Sequence, residues 1–495
     1  VSARSPHERI HRGLRKPILL SVALAASALG LGSDPSRLVA ATSHTPARAA
    51  SHASSPHGSA HAKPHHEQPP PPEVALTPTI TGASAQITMP PVGLSMEYSV
   101  IAQDLGAGPC GPPALASELL ELGSPPLALA GDTQDSTAPS GALAGQPSSW
   151  EAATLYSLPA SFWSQLHCLL STARDPLTVG LNLKSGELAW AQAMVAGAQS
   201  AATNGLDFSL GNEPDLYYLP NYASLGKPQA DEEAAAVALY LQLATYLQQA
   251  LAGAPVIGPE LARPAEWQRE LPHVISQLHE QTVGVHMYPL DGCVTPKAVT
   301  VGGLLSEHSA DAPRELAWVV ADASAAGVPA IISEANSASC AGKSGVSDSP
   351  AAAVWAVRFV LSALKTGFDE VRFHFSGGPY DPFVVQGEDV TQRPLGIALA
   401  ALNRWLPVGA TLQSVAGVRG LVASRIGAPT GGTTLVLDDE QPKSQTVLLR
   451  GAASVHVEVL SAAQAGFQAA QLSATHGRIK LVVMPNSIVT VSALP

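Results

Sequence analysis

Two apolar runs in this chain end on a carboxylate. Leu206 to Gly211 runs into Asn212-Glu213-Pro214-Asp215, and Pro329 to Ser333 runs into Glu334. Two glutamates that face one another across a cleft can hydrolyse a glycoside, because one carboxyl protonates the leaving oxygen while the other attacks the anomeric carbon. Asn-Glu-Pro by itself is a short motif that any solvated loop can contain. Its place at the end of an apolar run gives it weight, as do His286 and Tyr288 at the end of a run from Thr282, and His374 in the run Glu370 to Phe375. His374 alone reads equally well as a satisfied buried histidine.

Such residues act together only if the chain brings the ends of distant runs to one place. Short runs rich in Val, Ile and Leu recur at Val92 to Ile101, Pro126 to Gly131, Leu177 to Leu181, Leu206 to Gly211, Pro255 to Pro259, Thr282 to His286, Pro329 to Ser333 and Glu370 to Phe375. Segments of helical periodicity separate them. The clearest is Ala234 to Leu251, with Tyr240, Leu243, Ala244, Leu247 and Leu251 on one stripe. Another opens at Ser349-Pro350 and stops near Gly367, with Pro at a first helical position and Gly past the end. Strand then helix, eight times over, predicts an α/β chain with an eight-stranded β/α (TIM) barrel over residues 91–406, whose active residues stand at the carboxyl ends of the strands.

After Trp405 the pattern changes to strand-like runs without helices between them, at Leu421 to Arg425, Thr433 to Leu437, Gln445 to Leu449, His456 to Leu460, Ile479 to Met484 and Ser487 to Val491. Residues 407–495 therefore read as a C-terminal antiparallel β-sandwich domain. Residues 74–90 are also strand-like and are expected to pair with it.

The beginning of the chain reads differently. Arg12, Arg15 and Lys16 precede an apolar run from Ile18 to Leu31, with small residues to follow, so residues 1–41 have the layout of a secretory signal peptide. The run is shorter than the roughly 20 residues that span a bilayer. No stable membrane span is expected beyond an uncleaved anchor there. Residues 42–73 are Ala, Ser, His and Pro with almost no large apolar side chain, the composition of a solvated tether. Its histidines lack the spacing of a metal site, and no metal or cofactor is expected. A secreted or extracytoplasmic protein is the resulting expectation. The 495 residues carry a formal charge of -12, and beyond residue 73 the balance is more acidic still, so a nucleic-acid partner is not expected.

Here the residues resemble a known family. Gly211-Asn212-Glu213-Pro214-Asp215-Leu216-Tyr217, Glu334-Ala335-Asn336-Ser337, Gly345-Val346-Ser347-Asp348 and Trp355 look like glycoside hydrolase family 79, the β-glucuronidase and heparanase-like group of clan A. Gly93-Leu94-Ser95-Met96-Glu97-Tyr98, Gly131-Asp132-Thr133-Gln134-Asp135, Gly180-Leu181-Asn182-Leu183 and His286-Met287-Tyr288-Pro289-Leu290 extend the resemblance from about Pro91 through the C-terminal domain. It implies retaining hydrolysis with Glu213 as general acid/base and Glu334 as nucleophile. The substrate-binding set it implies includes Glu97, Asp132, Asn182, Asn212, His286, Tyr288 and His374, around a glycan or small glycoside.

The chain departs from that pattern in two places. Ala128 stands where the family commonly has Arg. Ser339, Cys340 and Ala341 stand where glucuronide-cleaving relatives present a Tyr and Gly amides to the sugar carboxylate, which leaves Ser339 and Lys343 as the candidates for that contact. A solvated loop lysine is the plain alternative for Lys343. The expectation is thus a weak preference for β-glucuronide over neutral sugars, and the acidic balance argues against a sulfated polymer. Cys293 and Cys340 follow the sixth and seventh strands at one rim of the barrel, where a bridge is expected. Cys110 with Cys168 would complete one of the three pairings that four cysteines allow.

Overall fold

The computed structural model describes residues 70–493 apart from 77, 143–155, 218–229, 417 and 419. The expected leader and nearly all of the expected tether fall outside the described residues. Among those described, no helix is long and apolar enough to cross a membrane.

Eight parallel strands close into a barrel in chain order: Val92–Glu97, Leu127–Ala130, Leu177–Leu181, Leu206–Leu210, Val256–Leu261, Thr282–Met287, Ala330–Ala335 and Glu370–Phe375. Barrel strands one and eight pair, Val92 against Val371 through Met96 against Phe375. All eight expected runs are strands, with one correction: the first ends at Glu97, and Tyr98–Leu105 is a helix. Tyr98 donates to the carbonyl of Gly180 at 2.7 Å, which ties the start of this helix to strand three.

The strands are buried on both faces, as a sheet wrapped in helices requires. The helix Pro350–Thr366 is buried along nearly its whole length, from Ala351 to Leu364. It begins after Ser349 with Pro at its first position and ends at Gly367, whose φ of 109° an L side chain rarely adopts. The other expected helix, Ala230–Leu247, begins four residues earlier than its stripe suggested and continues as a 3-10 turn, Gln248–Ala250.

The barrel interior is polar on one level. Arg372 lays its guanidinium on Glu370, with Nε to Oε1 at 3.0 Å and Nη2 to Oε2 at 3.2 Å, and Nη1 donates to the Thr178 hydroxyl at 2.9 Å. Gly93 leaves room for that fork, since a Cβ there would lie 3.0 Å from Arg372 Cγ and closer still to the Glu370 carboxylate.

Residues beyond the barrel form two packed sheets. One has three strands, Glu73–Ala75, Gln445–Arg450 and Arg478–Val483. The other has seven, in the order Ile80–Gln86, Thr411–Val415, Val422–Gly427, Thr433–Asp439, Ser487–Ala493, Ser454–Ser461 and Gln464–Ser473. Both N-terminal strands join this unit: Glu73–Ala75 runs parallel to Gln445–Arg450, and Ile80–Gln86 runs antiparallel to Thr411–Val415. Strands Thr411–Val415 and Gln464–Ser473 were not foreseen. The second is an edge strand with most side chains exposed, so it carries no apolar alternation to read.

Alternation along the seven-stranded sheet explains its position. Leu435, Leu437, Val489 and Val491 pack with Val447, Leu449, Ile479 and Leu481 of the smaller sheet, whereas Val436, Ile488, Leu412 and Ile426 join the barrel core. Arg358 crosses this seam: Nη2 meets Asp438 Oδ1 at 2.7 Å and the carbonyl of Asp439 at 3.2 Å, and Nη1 donates to Leu305 O at 3.2 Å. Two disulfides close, Cys110–Cys168 and Cys293–Cys340.

Candidate active site

Strand four delivers Glu213 through Gly211 and Asn212. Asp135 holds this turn, because its Oδ2 accepts from the Asn212 amide at 3.1 Å and from the Tyr217 hydroxyl at 2.6 Å, while its Oδ1 accepts from the Leu183 amide at 2.9 Å. Burial pushes the Asp135 carboxyl up, against the pull of Lys184 and these hydrogen bonds. Asp215 performs the same service one loop further on, accepting from the amides of Ala262 and Arg263 at 3.1 and 2.7 Å. Its burial and the neighbouring Glu213 raise it to about 7. One carboxylate thereby ties the loops after strands two, three and four, and another ties four to five.

Glu213 and Glu260 both have left-handed backbone, with φ of 50° and 57°. Non-glycine residues rarely adopt it, and such strain gathers at functional sites. The Glu213 amide donates to the Glu260 carbonyl at 3.0 Å, so the two turns support one another.

His286, at the end of strand six, stands between them. Its Nδ1 lies 3.0 Å from Glu213 Oε1 and 3.8 Å from Glu334 Oε1, and its Nε2 lies 3.2 Å from Glu260 Oε2. Ser333 donates to that same Glu260 oxygen. Burial opposes a charged imidazole, but the carboxylates of Glu334, Glu213 and Glu260 outweigh it and hold His286 well above the ordinary histidine range.

Glu334 receives the Tyr288 hydroxyl on Oε1 at 2.7 Å. Its Oε2 faces His374 Nδ1 at 3.3 Å, without the alignment of a hydrogen bond. The other nitrogen of His374 lies 3.4 Å from Glu97. Burial works against charge on His374, and Glu334 and Glu97 overcome it, raising the group to about 9. Glu97 is itself buried, yet His374 and Thr133 hold its carboxyl below the usual range. It also accepts from the amides of Asp132 and Thr133 at 2.9 and 2.7 Å. Gly131 has to be glycine here, because a Cβ would lie 2.5 Å from His374 and 2.6 Å from Glu97. Asp132 opens to solvent at the mouth, and its partial withdrawal from water and the charges of Glu213, Glu97 and Glu334 push it up to about 7.

The structure therefore brings Glu97, Asp132, Asn212, Glu213, His286, Tyr288, Glu334 and His374 to one end of the barrel. Asn182, Ser339 and Lys343 follow strands three and seven at the same end, with their polar atoms engaged in loop contacts. Asn182 is engaged at both ends of its amide, donating to Thr137 O at 3.1 Å and accepting from the Ser185 amide at 2.9 Å. Ser339 accepts from the Gly292 amide at 3.0 Å. Lys343 donates to the carbonyls of Pro296 and Val299 at 3.0 and 2.8 Å. These three fasten loops to one another.

Several residues were not foreseen. Glu260 lies one position beyond the expected end of strand five, and Gly258-Pro259-Glu260 is the signal that could have found it. Asp135 and Asp215 stood within quoted motifs without a role. Tyr380, from the loop after strand eight, stacks on Tyr288 with centroids 6.4 Å apart.

Glu213, His286 and Glu334 each offer one atom within 4.8 Å of the others, a spacing that a divalent ion could span. A ligating imidazole must present a lone pair. Both nitrogens of His286 face carboxylates, the arrangement of a doubly protonated ring that has none to give.

No protein-family model matches the chain, and neither does any curated protein. Solved structures do match in fold. A 4-O-α-L-rhamnosyl-β-D-glucuronidase from Fusarium oxysporum 12S, seen with Rha-GlcA, aligns at a TM-score of 0.64 and 18% identity over 85% of this chain and 100% of that one. An arabinofuranosidase of glycoside hydrolase family 51 from Xanthomonas axonopodis pv. citri aligns at 0.60 and 12% identity, over 85% and 99%. The catalytic domain of a family 30 xylanase C from Talaromyces cellulolyticus aligns at 0.52 and 13%, over 85% and 99%. At these identities the likeness establishes a shared barrel-and-sheet fold.

Proposed function

We propose that this protein is a retaining β-glycosidase of the family 79 type, with Glu213 as general acid/base and Glu334 as nucleophile. One observation carries the reading: one carboxylate oxygen of Glu213 and one of Glu334 lie within 4.8 Å of one another, both turned towards His286 Nδ1, so the pair is closely opposed. Retaining enzymes hold their carboxyls roughly 5 to 5.5 Å apart, whereas inverting ones need about 6.5 to 9.5 Å to admit water. The fold neighbours, which include a glucuronidase, an arabinofuranosidase and a xylanase, support a glycan substrate.

In the first step Glu334 attacks the anomeric carbon while Glu213 gives a proton to the departing oxygen. Tyr288 holds the attacking carboxylate in position, and His374 faces its second oxygen. Esterification removes the charge on Glu334. Water then enters, Glu213 takes its proton, and the sugar leaves with its configuration retained.

Selectivity for a uronate is modest in this reading. Ser339 and Lys343, the candidates for its carboxylate, are committed to loop contacts. A missing charge-assisted hydrogen bond removes about 1.5 to 3 kcal/mol, so β-glucuronide and neutral β-glycosides should be turned over within about a hundredfold of one another. The two disulfides fit an oxidising, extracytoplasmic setting.

The test uses chromogenic β-glucuronide, β-glucoside, β-galactoside and β-xyloside with the wild type and Glu213→Ala. The variant should glycosylate itself with good leaving groups and then stall, and azide should restore turnover as a β-glycosyl azide. An α-linked azide, or no turnover of any glycoside by the wild type, would overturn the reading.

A further inference from the structure

His286 is in contact with more carboxylates than a residue that only binds sugar requires. Three elements present one to it: Glu213 from the loop after strand four, Glu260 from the end of strand five and Glu334 from the end of strand seven, at 3.0, 3.2 and 3.8 Å. The contacts are not equivalent. Nε2 meets only Glu260, a carboxylate 6% exposed that the Ser333 hydroxyl also grips. Nδ1 meets the proposed acid/base and, further off, the proposed nucleophile.

We infer that His286, held by Glu260, stores the proton that Glu213 delivers to the leaving group, and that it releases this proton when Glu334 loses its charge. The inference rests on the two-carboxylate reading above. In the resting enzyme the ring is an imidazolium, Nε2–H on Glu260 and Nδ1–H on Glu213. As Glu334 bonds to the anomeric carbon its negative charge disappears, and with it one of the three carboxylate attractions, 3.8 Å from Nδ1, that favour the imidazolium. The Nδ1 proton passes to the Glu213 carboxylate and on from it to the departing oxygen, which leaves Glu213 a carboxylate for the second step. The ring remains neutral with its proton on Nε2, because Glu260 accepts there. In the second step a water proton goes to Glu213 and from it to Nδ1, while the hydroxide oxygen bonds to the sugar and Glu334 regains its charge. Protons and charge balance over the cycle.

Glu260 is a positioning residue in this scheme: it fixes which nitrogen keeps its proton. Other charged or titratable groups surround the cluster. Tyr288 and His374 bear on Glu334, Asp132 lies near both Glu213 and Glu334, and Arg372, Tyr240 and Glu280 sense the charge of Glu260.

The deciding measurement needs neither substrate nor turnover. 15N-histidine NMR titrations of the full chain follow the His286 ring in the wild type, Glu334→Gln and Glu260→Gln, with His286→Asn identifying its signals. The wild-type ring should stay doubly protonated at pH 8. Glu334→Gln, whose neutral amide stands for the esterified state, should lower the midpoint by at least one pH unit and leave the proton on Nε2. Glu260→Gln should lower the midpoint too and mix the two neutral forms. In kinetics, Glu260→Gln should move the alkaline limb of kcat/KM down by a similar margin, with greater loss on poor leaving groups than on good ones. A neutral ring at pH 7 in the wild type, or a midpoint unmoved in Glu334→Gln, overturns the inference. Should Glu260→Gln fail to fold, the Glu334→Gln titration still decides. Loss of the azide result with the titrations intact would remove the glycosidase reading and leave the coupled proton site standing.

Discussion

The barrel mouth and the seam between barrel and sandwich both bury charge, and they do so in opposite ways. At the seam one guanidinium meets one carboxylate, and Arg358 places its remaining donors on the carbonyls of Leu305 and Asp439. At the mouth Glu97, Asp132, Glu213, Glu260 and Glu334 surround two imidazoles, and Glu334 Oε2 and His374 Nδ1 face each other without a hydrogen bond. A closed pair has no capacity left for a ligand and serves the architecture. An incompletely satisfied cluster costs stability, and under the proposed function a bound sugar would complete it.

Substitutions in the two places should therefore separate activity from stability. Glu334→Gln should lower kcat by several orders of magnitude on any active glycoside, since the attacking group is gone, while the urea midpoint stays near that of the wild type. Near wild-type turnover would sink the nucleophile assignment. Arg358→Met should do the reverse: it leaves Asp438 buried without its partner, which costs about 3 to 5 kcal/mol in urea unfolding, with kcat of the folded fraction unchanged. A stability loss under about 1 kcal/mol would mean that the seam does not depend on the pair. Tyr288→Phe is the smallest of the three. It removes one hydrogen bond to a charged oxygen and should reduce kcat/KM roughly ten- to a hundredfold, without a large change in stability. An unchanged kcat/KM would show that Glu334 is positioned by other contacts.

Much of this was legible before any coordinates. The eight runs could be read because buried strands are nearly continuous in Val, Ile and Leu, and the rule that barrel chemistry sits at strand ends selected Glu213 and Glu334. What escaped depends on contacts between distant residues. The side chain of Glu260 reaches His286 from a left-handed position near the end of strand five, and nothing local in Gly258-Pro259-Glu260 declares that φ. Lys343 reads as a free cation until the carbonyls of Pro296 and Val299 are seen beside it. Thr411–Val415 is five residues long, and its side chains alternate only loosely between buried and half-buried. Gln464–Ser473 is held by its partner Ser454–Ser461 and packs only Phe467 and Leu472, too few to read as alternation.

The seven-stranded sheet, buried on one face by the smaller sheet and on the other by the barrel helices, decides how this chain can be divided. A module that could be exchanged between proteins needs a boundary where water already touches both sides. No such boundary lies at residue 406: a cut there would uncover the helix Pro350–Thr366 and remove Leu412, Ile426, Val436 and Ile488 from the core they share with the barrel. It would also strand Glu73–Ala75 and Ile80–Gln86, which precede the barrel in sequence but depend on partners that follow it. The two layers thus share one packed core, and a barrel cut at residue 406 would expose apolar surface that the sheet now covers.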